Sequence, residues 1–350
     1  VQWPARPEKP GGSDFCKTVY KGWEENRLNN RTYLLPEAGR FYKANLHSHT
    51  VISDGRLTPE EAKEHYKKHG YQIMAFTDHR IYRNHEELND EEFLALAAVE
   101  VDINEISSDR LHPEDKTYHI NLYDTAPGYE RARKEQGICP ERRYGDFDYI
   151  NRYLEEMKEL GFLACYNHPY WSLQNYDDYK GLNGLFAMEI YNYGCELDGL
   201  YGYNPQSYDE MLRLGKRLWC LATDDNHNSH PFDDPMCDSF GGFTMIKAED
   251  LSYAAVINAL VKGHFYSSMG PEIKEIYMEG RELVVKTGPV QAICGITDNA
   301  RFCQRAAVQG EPLTEARFLL EGNEAYIRVE CKDEKGLFAN SNVYFLSDLE

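Results

Sequence analysis

No C-x-x-C pair occurs among the nine cysteines, and their number is odd. Both features argue against a cysteine zinc site and against a disulfide framework, so buried or free thiols in a reducing compartment are expected. No apolar run approaches the roughly 20 residues of a membrane-spanning helix, and no membrane partner is expected. No run of five or more Lys/Arg is present, and 38 basic residues face 58 acidic ones for a net charge of −20. A surface this acidic repels nucleic acid, so none is expected as a partner beyond nucleotides or short oligonucleotides. No signal peptide is visible, although the chain opens on Val1 rather than Met. A cytoplasmic location is the expectation.

What is present points to a globular protein. Apolar residues make up 42% and tyrosines number 26, enough for a real core. A chain of 350 residues exceeds one typical core. It suits a catalytic domain of about 200–250 residues with a smaller companion.

Residues 1–41 read as an irregular extension. Pro4, Pro7, Pro10, Gly11 and Gly12 punctuate it, while Trp3, Phe15, Tyr20 and Trp23 suit packing on the core. From residue 42 strands and helices alternate. Apolar stretches recur at Tyr42–Leu46, Ile73–Phe76, Leu94–Val101, Tyr118–Tyr123, Phe162–Tyr166, Ala187–Tyr191 and Leu218–Ala222, with an eighth at Phe243–Ile246. Amphipathic segments at Thr58–His69, Tyr149–Leu160 and Tyr253–Val261 lie between them. In the first, Thr58 suits the cap, Pro59 the first helical position, and Glu61 completes a capping box. Such alternation implies parallel βα units, and seven or eight of them suggest a closed or nearly closed barrel with chemistry at the strand ends. After Gly270-Pro271 the texture changes to short alternating stretches, among them Glu282–Lys286, Arg317–Leu320, Ala325–Glu330 and Val343–Leu346. These read as a small antiparallel β-sandwich over 271–350, leaving 42–270 for the catalytic domain.

The chemistry clusters where the strands stop. His47 and His49 stand at i and i+2, on one face of an extended segment, with Asp54 on the loop beyond. His79 follows the strand Ile73–Phe76. Glu100 sits inside Ala97–Val101, where an unpaired carboxylate is costly, so a metal ion or an arginine is its natural partner. His119 lies in another strand, and His168 precedes Pro169 at the end of a further one. Asp225 and His227 form a second i, i+2 pair; alternation places Asp224 on the opposite side, where it suits the support of an imidazole. Any one of these alone is more often an ordinary packed or surface residue. Their recurrence on six strands is the signal. His65, His69, His85, His112 and His264 fall on helices or loops and read as surface or packing residues. Arg80, Arg83 and Trp171 are candidates for substrate binding, and His230 for a general acid, each about as well explained as an ordinary loop residue. Glu189 and Asn192 are candidates for shaping the pocket.

In this order, H-x-H-T, S-D-G, T-D-H, the strand Glu, the strand His, N-H-P and D-x-H resemble the PHP (polymerase and histidinol phosphatase) family over about residues 43–270. The tail Arg328-Val329-Glu330, Gly336 and Ala339-Asn340-Ser341-Asn342 is similar to the C-terminal sandwich of its CehA/McbA-like branch. The resemblance implies a distorted (β/α)7 TIM-like barrel and two or three divalent metal ions. One would take His47, His49, Glu100 and Asp225; a second Glu100, His119 and His168; a third Asp54, His79 and His227. Imidazole and carboxylate without thiolate suit Mn, Fe or Zn. The implied activity is hydrolysis of a small phosphate mono- or diester by a metal-bridged water held by Glu100 and Asp225. The alternatives are a carbamate or carboxylic ester hydrolase on the same site, and a metal-stabilised binding module without turnover.

Overall fold

The computed structural model describes residues 31–105 and 116–349. The expectations for Trp3, Phe15, Tyr20, Trp23, the proline-glycine start and His112 lie outside the described residues. The first strands are β1 (Arg31–Tyr33), β2 (Arg40–Asn45), β3 (Ile73–Phe76), β4 (Leu94–Asn104) and β5 (Thr117–Asp124). They continue as β6 (Phe162–Tyr166), β7 (Ala187–Asn192), β8 (Trp219–Thr223), β9 (Phe243–Ala248) and β10 (Phe265–Ser268). The C-terminal strands are β11 (Ile273–Glu279), β12 (Glu282–Val290), β13 (Ala292–Thr297) and β14 (Arg301–Arg305). The last are β15 (Leu313–Leu319), β16 (Tyr326–Lys332), β17 (Phe338–Ser341) and β18 (Tyr344–Phe345).

The molecule is mixed α/β with one 14-stranded sheet, in the order β14-β13-β16-β17-β10-β9-β2-β3-β4-β5-β6-β7-β8, and β18 paired to β16. β2, β3 and β4 are parallel neighbours, as are β6, β7 and β8. β5 runs antiparallel to both β4 and β6, which gives the two parallel groups the same direction. β9 is antiparallel to β2. The expected distorted (β/α)7 TIM-like barrel is therefore not what the described ladders form: directions are mixed, and among the described residues no backbone ladder closes the edge of β8.

Side chains satisfy that edge instead. Thr244 Oγ1 bonds the backbone N–H and C=O of Ala222, Ser267 Oγ donates to the Cys220 carbonyl, and Asn342 Oδ1 accepts from Cys220 N–H. Edge groups met this way carry no desolvation penalty and offer no template for another chain.

Helices cover the sheet with the faces their sequences prescribe. The helix Pro59–Lys68 has its capping box, with Thr58 accepting from Glu61 N–H and Glu61 from Thr58 N–H. It buries Ala62 and Tyr66 against Tyr71, Met74, Phe76 and Phe93. Thr58→Ala is expected to cost about 1 kcal/mol, read from the shift in a urea unfolding midpoint at constant slope. The helix Phe147–Glu159 buries Ile150, Tyr153, Leu154 and Met157. All four residues of β3 are buried, the continuous apolar pattern of a strand covered on both faces.

A second sheet, β1-β11-β12-β15, is antiparallel throughout. Its Ile276, Leu283, Val285 and Phe318 share one apolar core with Ile293, Ile327, Val329 and Cys331 of the large sheet. The sequence boundary near residue 271 does not interrupt hydrogen bonding, because β10 pairs with β17. Cysteine usage departs from expectation in one place. Cys294 and Cys303, directly opposed on β13 and β14, form a disulfide, while Cys139, Cys165, Cys195, Cys220, Cys237 and Cys331 are free. Cross-strand opposition, not sequence spacing, brings that pair together. No helix among the described residues is long and apolar enough to cross a membrane.

Candidate metal centre

The common direction of β2, β3, β4, β6, β7 and β8 gathers their C-terminal ends on one edge. His47 and His49 follow β2, His79 follows β3, Glu100 lies within β4, His168 follows β6, and Asp225 and His227 follow β8. His119 joins them because β5 is reversed: it lies near the strand's start, opposite Asp102. All nine predicted ligands are brought together.

Glu100 lies at the centre and is fully buried. Its carboxylate is 3.0 Å from His79 Nδ1 and from His119 Nδ1, 3.3 Å from His47 Nε2 and 3.4 Å from His49 Nε2. Asp225 Oδ1 is 3.1 Å from His47 Nε2 and 3.0 Å from His49 Nε2, while its Oδ2 is 3.7 Å from His168 Nε2. Asp54 Oδ2 is 3.7 Å from His79 Nε2, and its Oδ1 is 3.6 Å from His227 Nε2. Four groups have ligand atoms close enough to hold an ion. They are His49, Asp54, His79 and His227; His47, His49 and Glu100; Glu100, His119 and His168; and His168, Cys195 and Asp225.

Two observations fit divalent ions here. His47 Nε2 and His49 Nε2 face each other at 3.2 Å. Ligands bonded at about 2.1 Å to one ion stand about 3.0–3.4 Å apart at octahedral to tetrahedral angles. In addition, buried His49 Nδ1 has no hydrogen-bond partner among the described residues. Most buried polar atoms in proteins are satisfied, and this one belongs to a ring that already faces the cluster through its other nitrogen, so a ligand fits there.

The electrostatics show what balances the carboxylates in this protein. Burial works against ionisation of Glu100, yet His119, His47 and His79 hold its pKa well below the ordinary glutamate value. Burial likewise opposes ionised Asp225, and His47 and His49 outweigh it. The His227 imidazole, 3.6 Å away, lowers Asp54. Burial disfavours charge on His79, but Glu100 and Asp54 raise it to about 9. His227 also reaches about 9, burial being outweighed by Asp54 and Asp225. Burial takes His49 the other way, to about 4. The raised imidazoles of His47, His79 and His227 offset the carboxylates, a role that divalent cations can take over.

A surrounding layer orients the ligands. Glu189 accepts from Thr223 Oγ1 at 2.7 Å, Asn192 Nδ2 at 3.0 Å and His168 N–H at 3.2 Å, and pairs with His47 Nδ1 at 2.7 Å. Asn192 Nδ2 also reaches Asp225 Oδ2, and Asn167 Nδ2 donates to Glu100 Oε1 at 2.9 Å. Asp78 gathers Thr50 and Ser53, which fixes the loop carrying Asp54. His168 and Asp225 adopt left-handed backbone, φ 25° and 54°. Such conformations in non-glycine residues cost energy and concentrate at functional sites.

Several sequence expectations come out differently. Asp224 supports no imidazole: it accepts from Tyr66 Oη and from the backbone N–H groups of Phe240, Gly241 and Gly242. The alternation argument placed it correctly away from the cluster, but the chain folding back after His227 supplies its partners. Arg80 and Arg83 do not line the cavity above the cluster. The Arg80 guanidinium bonds Asp102 Oδ1 at 2.7 Å, because its left-handed backbone turns the side chain aside. Trp171 and His230 do line that cavity, of about 430 Å³, together with Leu197, Asp198, Met236 and Asp238.

Glu189 carried the same signal as Glu100, a carboxylate inside an apolar strand, and merited the same weight. Cys195, buried and with its thiol pKa pushed well up by burial, had no spacing to mark it. Asp198, Met236 and Asp238 lie on connections whose path only the fold reveals.

No family model matches the chain, and no curated protein matches it. Solved structures do. A two-domain protein from Bacteroides vulgatus ATCC 8482, described as containing a PHP-like metal-dependent phosphoesterase, is 15% identical over 89% of this chain and 98% of its own, with a TM-score of 0.43. A protein from Bifidobacterium adolescentis ATCC 15703, assigned as a metal-dependent phosphoesterase, is 14% identical over 58% of this chain and 94% of its own, TM-score 0.34. An amidohydrolase from Chromobacterium violaceum with bound sulfate is 18% identical over 55% of this chain and 93% of its own, TM-score 0.30.

Proposed function

We propose that the protein is a metal-dependent hydrolase that cleaves a small phosphate mono- or diester. The observation that carries this reading is the convergence of nitrogen and carboxylate donors from separate strand ends at the floor of one open cavity. A purely structural site closes its coordination sphere, whereas this one opens into a cavity. In this reading residues 42–270 carry the chemistry and 271–350 buttress it.

The proposed ligands are His47, His49, Asp54, His79, Glu100, His119, His168, Asp225 and His227, holding two or three ions of Mn, Fe or Zn. Bound divalent ions supply a lowered pKa for water and positive charge opposite developing oxyanions. The chain's own residues do the rest. Glu100, within 4 Å of the imidazoles of His47, His49, His79, His119 and His168, would serve more than one ion, and Asp225 would share His47, His49 and His168. Glu189 holds the His47 ring by its Nδ1, leaving Nε2 free to face the centre. His230, half exposed on the rim beside Asp234, is placed to hand a proton to a leaving oxygen.

A second reading is favoured by one observation. No Lys or Arg is among the described residues lining the cavity. A carbamate or carboxylic ester needs no such cation, so hydrolysis of a neutral ester on the same centre is the alternative.

The deciding experiment is hydrolysis by manganese-loaded protein across phosphomonoesters, phosphodiesters, nucleotides and neutral esters. Phosphate release abolished by chelation supports the main reading. Turnover of neutral esters alone selects the second, and no turnover with metals bound removes both in favour of a binding module. Glu189→Gln is expected to weaken metal affinity by roughly 10–100-fold without unfolding the chain. Competition against a chelating dye reads this, and unchanged affinity removes Glu189 from its positioning role.

A further inference from the structure

The proposed ligands account for the floor of the cavity but not for its wall. The cavity lining also includes Trp171, Leu197, Asp198 and Met236. Trp171 lies three residues past His168, and its ring stands perpendicular to that imidazole, with centroids 5.1 Å apart and an interplanar angle of 87°. Asp198 directly follows the helix Tyr193–Leu197, which begins where β7 ends. The two meet through the indole Nε1, which donates to Asp198 Oδ2 at 2.9 Å. The backbone on the Trp171 side is fixed as well: Tyr170 N–H donates to Asn204 Oδ1, and Gln174 N–H to the Pro169 carbonyl.

The charge on this wall is one-sided. Asp238, also at the cavity, is engaged by the backbone N–H groups of His227 and Asn228. Asp198 is exposed and has oxygen lone pairs to spare. An aromatic face beside a carboxylate attracts apolar and cationic groups, the latter through the ring quadrupole and the opposite charge. Among the described residues lining the cavity no Lys or Arg offers itself to a second anion beside Asp198, and Arg80 is held by Asp102.

We propose that Trp171 and Asp198 form a leaving-group subsite that selects an apolar or cationic substituent on the phosphoester and rejects a second anion. This rests on the phosphoester reading of the centre. It makes the substrate a compact ester with a single anionic group, not a bisphosphate or polyphosphate.

The test is calorimetric titration of the metal-loaded protein with three phosphonates that differ only in their far end. These are 2-aminoethylphosphonate, propylphosphonate and 3-phosphonopropionate. The first two are expected to bind about 10-fold tighter than the third. Asp198→Asn, which keeps an acceptor for the indole, is expected to erase the preference for the amine over the propyl group. Trp171→Ala is expected to weaken both several-fold, with Trp171→Phe restoring most of the loss. Equal affinities, or tightest binding of the carboxylate compound, overturn the subsite. If phosphoesters are turned over while the phosphonate order is flat, the subsite alone fails. If no phosphonate binds metal-loaded protein, the phosphoester reading fails with it.

Discussion

Glu100→Gln is expected to lower metal content and to reduce metal-dependent turnover by on the order of 10³-fold. The side chain is fully buried, and imidazole nitrogens of His47, His49, His79 and His119 stand within 3.0–3.4 Å of it. The amide keeps the shape but removes the negative charge. It also presents an N–H₂ donor to nitrogens that must offer lone pairs to a metal. The loss therefore strikes every ion site that Glu100 joins. Metal stoichiometry by elemental analysis, set beside circular dichroism to confirm folding, reads the first effect. Full stoichiometry and an unchanged rate in a folded variant would remove Glu100 from the centre.

Asp209→Ala is expected to destabilise the protein by about 3–5 kcal/mol without touching the cavity. Asp209, on the helix Pro205–Arg213, receives Arg328 Nε at 2.7 Å and Nη2 at 3.0 Å. Arg328 belongs to β16 and is fully buried, with Nη1 donating to Asn340 Oδ1 at 3.2 Å. Burial disfavours its charge, yet Asp209 holds its pKa above the ordinary arginine value. Removing the carboxylate leaves a guanidinium away from water with only Asn340 and, at 3.7 Å, Glu330 to offset it, which is the costly half of a buried pair. Replacing both partners, Asp209→Leu with Arg328→Met, is expected to recover most of the loss. Urea unfolding of the single and double variants gives the comparison. A single variant within about 1 kcal/mol of the parent would show that water reaches the site.

The local vocabulary of the fold was legible in the chain. Thr58, Pro59 and Glu61 mark a helix start by chemistry that acts over three residues, and the helix begins there. β3 and β6 match their apolar runs because a strand covered on both faces leaves no polar residue to blur its ends. The candidate ligands were legible for a related reason. A histidine or carboxylate at the end of an apolar strand is a costly placement, and its recurrence is visible without coordinates.

Direction and partnership were not legible. A strand's sequence does not state whether its neighbour runs with it or against it, so β5 and β9 read as members of a parallel barrel. β10 and β17, the pair that joins the C-terminal strands to the large sheet, are short and bear no turn signal that predicts their pairing. Arg80 was a candidate for substrate binding because it adjoins His79, with an ordinary loop charge as the equal alternative, but a left-handed backbone sends it to Asp102. Cys294 and Cys303 read as unpaired thiols because opposition across a hairpin leaves no fixed spacing. The sequence by itself determined the helix caps, the buried strands and the identity of the converging donors, since each follows from interactions within a few residues. Tertiary structure decided strand direction, the closing of the β8 edge by side chains, the support of Glu189 and the Trp171–Asp198 wall, since each depends on groups brought together from distant parts of the chain.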